Sequence, residues 1–116
     1  MDLKGFYTAV GGSYEDVLGR LPSEALVRRF LAKFPADPSY AALTASLAAK
    51  DWEGAFRAVH TMKGTAANLG LTTLQSAASA LTEALRPLTG APDDRLVSDV
   101  TSAYDTALAA IHQLDD

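Results

Sequence analysis

Residues 51–70 read D-W-E-G-A-F-R-A-V-H-T-M-K-G-T-A-A-N-L-G. The apolar side chains fall at Trp52, Ala55, Phe56, Val59, Met62, Ala66 and Leu69. Steps of three and four residues put them on one face of an α-helix, the face that seeks burial. Asp51 can cap the start, because its carboxylate accepts a backbone N–H of the first turn. Gly70 stands just past the last periodic residue, where glycine takes the left-handed conformation that closes a helix. The stretch therefore reads as a complete helix of about five turns over 51–69.

Two residues of this helix do not fit a purely structural account. With about 100° of rotation per residue, His60 lies roughly 110° from the centre of the apolar stripe, on its flank. Lys63, Gly64 and Ala67 follow it at three, four and seven positions and share its surface. Phe56 and Arg57 precede it by one turn. A glycine inside a helix costs about 1 kcal/mol relative to alanine. Here it removes the side chain that would crowd the imidazole. The result is a histidine on an open patch with a cation one turn away, suited to a nucleophile that accepts a bulky anionic group.

The run from His60 through Lys63, Gly64, Ala67, Leu69 and Gly70 resembles the signature of histidine phosphotransfer (HPt) domains, the phosphorelay proteins of two-component signalling. The family pattern is His, two residues, Lys-Gly, small residues, then Leu-Gly. Met62 stands where leucine is commoner, a change that keeps core volume. The upstream text from Tyr14 through Arg20-Leu21-Pro22 to Phe34 and Asp37 is also similar to small stand-alone members. The resemblance implies a four-helix bundle, with His60 as phosphoacceptor. It implies receiver domains of response regulators as partners, and a hybrid sensor histidine kinase upstream. It also implies that Mg²⁺ belongs to the receiver, so the chain needs no cofactor or metal of its own.

Composition narrows the alternatives. With 116 residues, 48% hydrophobic and 21% charged, the chain has the make-up of one ordinary globular domain, here placed at 1–116. A net charge of −4 without a basic run disfavours nucleic-acid binding, which needs a positive face to displace counterions. The absence of cysteine excludes disulfides, thiolate catalysis and cysteine zinc sites, and suits a reducing cytosol. No apolar run approaches the ~20 residues that span a bilayer. The start, Met1-Asp2-Leu3-Lys4, lacks the apolar core of a signal peptide. The expectation is a cytoplasmic protein, monomeric because one phosphorylatable face needs no dimer, and stand-alone rather than part of a larger kinase.

No segment alternates apolar and polar residues over a strand length, so the fold class is all-α. A short helix at 3–10 ends at Gly11-Gly12, and Ser13 with Asp16 opens a second to about Arg20. Pro22 and Ser23 start a third, in which Leu26, Val27, Phe30, Leu31 and Phe34 form the stripe. Asp37-Pro38 opens a helix carrying Tyr40, Leu43 and Leu47. Beyond Gly70, Thr72 and Gln75 have capping-box spacing. Leu74, Ala78, Leu81, Leu85 and Leu88 then give a stripe that Pro87 closes. Leu96, Val100, Ala103, Ala107, Ile111 and Leu114 give the last. Four longer helices, about 23–34, 51–69, 72–88 and 93–114, are expected to form an up-down antiparallel bundle, with the shorter N-terminal helices capping it.

A solvated imidazole is mostly neutral in the cytosol and keeps a nucleophilic nitrogen. By the resemblance, that nitrogen attacks the aspartyl-phosphate of a receiver, and the reverse reaction passes the group to another. Lys63 compensates phosphoryl charge and Gly64 gives clearance. Phe56, Ala67 and Asn68 form the expected partner face. Without a nucleotide-binding motif the chain is a phosphocarrier and not a kinase. His112, in the last turn of the final helix with no Lys-Gly companion, is assigned a structural role. The alternative reading is a helical module that docks a signalling partner without being phosphorylated.

Overall fold

Five of the seven described α-helices start on a short polar side chain that caps them. The computed structural model describes residues 1–114; Asp115 and Asp116 of the expected domain lie outside it. The described helices are α1 (Leu3–Ala9), α2 (Tyr14–Arg20), α3 (Glu24–Lys33), α4 (Ser39–Ala48), α5 (Trp52–Asn68), α6 (Thr72–Leu85) and α7 (Asp94–His112), with a 3₁₀ turn Phe34–Ala36 after α3. Ser13 Oγ accepts the Asp16 N–H at 3.2 Å, Ser23 Oγ the Leu26 N–H at 3.2 Å, and Asp51 Oδ1 the Gly54 N–H at 3.0 Å. Each bond satisfies one of the donors that a helix start leaves without an intrahelical partner. No strand occurs among the described residues.

The core is a four-helix bundle of α4, α5, α6 and α7. Helix α5 packs along both α4 and α6, and α6 packs on α7. The ring closes between α7 and α4, where Tyr104 and Tyr40 stack with centroids 4.1 Å apart and planes 6° apart. The Tyr40 hydroxyl also lies 3.0 Å from Thr101 Oγ1. Val59, Met62 and Ala66 of α5, Leu74, Leu81 and Leu85 of α6, Val100 and Ala107 of α7, and Leu43 of α4 are buried between them. The apolar stripe of 51–69 is thus the centre of the fold.

The structure corrects the expected bundle in one element. Helix α4 lies along α5, whereas α3 makes its main backbone contacts with the 3₁₀ turn and α2. A β-carbon on Gly54 would collide with its own Asp51 cap and meet Ser46 Oγ of α4 at 2.7 Å, so the bare glycine fits the close approach of α4 at this point. Helix α3 still contributes Val27 and Leu31 to the core.

Smaller departures have local causes. Helix α6 stops at Leu85, earlier than the 72–88 span, because Pro87 has no N–H to continue the ladder. Leu88 adopts a left-handed φ of 56° and is exposed instead of joining the stripe. Phe30, also assigned to a stripe, is 39% exposed. Thr72 does not cap α6; Leu71 holds that position without a side-chain bond. Trp52, expected in the core, is half-buried and packs against its edge.

The last turn of α5 is fixed by residues far away in sequence. The Tyr7 hydroxyl, buried, donates to the Leu69 carbonyl at 2.5 Å. Arg20 Nη2 donates to the Ala67 carbonyl at 2.6 Å, and the Ser13 N–H to the Gly70 carbonyl at 3.3 Å. Gly70 takes a φ of 69°, as a closing glycine should. A β-carbon on Gly12 would collide with the Gly70 carbonyl oxygen, so the α1–α2 link reaches α5 only as glycine. The Leu69 and Gly70 carbonyls thereby find donors, and the Ala67 carbonyl, which already accepts the Gly70 N–H at 3.2 Å, gains a second. Burial pushes the Tyr7 phenol far above its usual range, although the nearby Arg20 charge acts the other way, so it stays a donor.

Candidate functional site

His60 projects from the middle of α5 and is exposed, off the face that carries Val59 and Met62 into the core. One turn before it, Phe56 is half-buried against the core, with its ring centroid 5.9 Å from the imidazole and the planes tilted by 32°. One turn after it, Lys63 is half-buried and Gly64 is exposed. A β-carbon on Gly64 would meet nothing within 4 Å. Packing therefore does not require this glycine, unlike Gly54 on the opposite part of the helix. The space that it leaves lies open beside the histidine.

The structure adds two residues that the sequence reading did not assign to the site. The Arg86 guanidinium, just past the end of α6, lies 5.4 Å from the centroid of the Phe56 ring, within cation–π range. It forks onto Glu83, with Nη2 to Oε2 at 2.7 Å and Nε to Oε2 and Oε1 at 3.2 and 3.3 Å. The hydrogen bonds from Arg86 hold the Glu83 carboxyl below its usual range against a desolvation that opposes them, and the Arg86 and Lys63 charges lower it further. Lys63, Glu83 and Arg86 thus form a charged trio, joined to the His60 side through the Phe56 ring that lies between Arg86 and the imidazole. A signal for it existed. Phe56 and Arg86 lie at nearly equal distances from the Gly70-Leu71 turn, so an α5–α6 hairpin brings them together.

The expected partner face is only partly gathered around His60. Phe56 adjoins the imidazole. Ala67 is half-buried on the same surface, near the helix end that Arg20 binds. Asn68 turns to a different feature, a groove of about 670 Å³ lined also by Arg20, Leu21, Phe30, Lys33, Phe34 and Leu69. Arg57 is engaged by Glu53 at 2.8 Å in an exposed pair that contributes little. His112 ends α7, exposed, in the position that complements a helix dipole. Among the described residues no three His, Asp or Glu side chains gather as they would around a metal ion, and no helix is long and apolar enough to cross a membrane.

A family model described as Hpt domain matches residues 25–114. That span holds α4 to α7 whole, with His60, Lys63, Gly64, Glu83 and Arg86, and leaves out α1 and α2. Neither the curated proteins nor the solved structures gave a match.

Proposed function

This chain belongs to the Hpt domain family, and on that footing we propose that His60 accepts a phosphoryl group from the aspartate of a receiver domain and returns it to another receiver. Hpt domains act in phosphorelays by histidine phosphotransfer, partnered by receivers and kinases, and are phosphocarriers without kinase activity of their own. The observation that carries the assignment to His60 is the open ground beside it: Gly64 leaves room that no other side chain fills. His112, the other histidine, has no such companion.

In the proposed reaction the unprotonated imidazole nitrogen attacks the phosphorus of the aspartyl-phosphate. The N–P bond forms as the acyl P–O bond breaks, and the receiver's aspartate leaves as a carboxylate. The imidazole, still protonated on its other nitrogen, becomes a phosphoimidazolium, so charge balances across the step. Such transfer is governed by positioning and charge compensation. Lys63 supplies positive charge to the phosphoryl oxygens. Mg²⁺ and the aspartate-side groups come from the receiver. The receiver docks over the His60 flank, meeting α5 and reaching towards α3, where exposed Phe30 offers an apolar contact. One such face serves a monomer acting in the cytoplasm.

The test is a transfer assay with a receiver phosphorylated on aspartate, in Mg²⁺, scored for acid-labile, alkali-stable label. Wild type and His112→Gln should take label, while His60→Gln should fall by at least about 100-fold with its fold intact, since the side chain is exposed. Label persisting on His60→Gln would move the acceptor elsewhere. Receivers that bind but never transfer would point to a docking module without phosphorylation.

A further inference from the structure

One cation on the His60 side is already engaged. Arg86, placed against the ring that adjoins the imidazole, is held by a two-pronged bond to Glu83. Both side chains are more than half exposed, so the pair is easily remade with a different anion. A phosphoryl group on His60 would bring about two negative charges to this side of the bundle. It would attract Arg86 and Lys63 and repel Glu83. The carboxylate and the phosphoryl group compete for the same positive charge.

We propose that Glu83 is a positioning residue that sets the phosphoryl-transfer equilibrium of this domain: it occupies Arg86 in the unphosphorylated protein and disfavours the phosphohistidine by charge. The inference rests on His60 being the acceptor. The carboxylate makes the phosphohistidine a better donor, and so keeps the carrier from becoming a trap for the phosphoryl group. Lys63, whose charge is also felt by Glu83, is drawn into the same competition.

The experiment measures the equilibrium constant for exchange of the phosphoryl group between this domain and a phosphorylated receiver. Protein concentrations are kept well below the dissociation constant of the pair. Under that condition docking contacts alter the rates but not the constant, which depends only on the four free species. Glu83→Gln keeps an oxygen for Arg86 and removes the charge. It should shift the constant about two- to five-fold towards phosphorylated His60 at low ionic strength, and the shift should collapse in 1 M salt. Arg86→Gln should shift it the other way. Asp105→Asn removes one charge from α7 and should leave it unchanged. An unchanged constant for Glu83→Gln, a shift towards the receiver, or an equal shift for Asp105→Asn would overturn the proposal. If wild type takes no label on His60 at all, the acceptor assignment fails; if it labels normally and only the Glu83 effect is missing, this inference alone fails.

Discussion

The two ends of α5 are held in different ways. At the N-terminus a single side chain from the adjoining residue, Asp51, bonds the Gly54 N–H. At the C-terminus Tyr7, Ser13 and Arg20 reach in from α1, α2 and their link to bond the carbonyls of Leu69, Gly70 and Ala67. One end is closed by its own sequence alone; the other adds these tertiary bonds to a local glycine turn, in which the Leu71 N–H reaches the Ala66 carbonyl at 2.9 Å. A helix start exposes donors that a short polar side chain satisfies locally, whereas its end exposes acceptors that need donors from outside or a left-handed turn. The contrast shows why the segment preceding the family match, which contains none of the proposed site residues, still matters to the helix that carries His60.

That asymmetry can be tested by removing its parts. Gly12→Ala should do the most damage, about 3 kcal/mol by denaturant unfolding, because the new methyl meets a backbone carbonyl that cannot retreat cheaply. Tyr7→Phe should cost about 2 kcal/mol, because the buried Leu69 carbonyl loses its donor. Amide exchange should then quicken around residues 69–71 and stay unchanged around 54–56. Asp51→Ala should cost about 1 kcal/mol, the ordinary value of an exposed N-cap. Should Asp51→Ala prove as costly as Tyr7→Phe, the two ends are equivalent and the distinction falls.

The same division decides what could be read from sequence. Helix α5 is visible because its Asp51 cap and Gly70 stop each lie within one turn of their effect, whereas the bonds from Tyr7, Ser13 and Arg20 to its end are not. The His60, Lys63 and Gly64 constellation is visible for the same reason. Long-range choices are not. Spacing puts Phe30 and Leu88 on apolar stripes, yet it does not say which side of a stripe meets another helix, and both residues are exposed. The packing of α4 rather than α3 along α5 is such a choice, and the close approach of Ser46 to Gly54 within it joins residues on different helices. Arg86 and Glu83 reach the His60 side only through the α5–α6 hairpin. Thr72 has the right spacing to cap but starts the helix one residue late.

Trp52, at the first residue of α5, is the chain's only tryptophan. Its half-buried indole makes intrinsic fluorescence a reporter of the α5 start, while Tyr7 is sequestered at the far end. Emission from the indole therefore samples that start alone, whereas tyrosine absorbance sums over Tyr7, Tyr14, Tyr40 and Tyr104 across the molecule. Melting followed by both signals shows whether the start of the histidine-bearing helix yields ahead of the rest or together with it, without any dye or label.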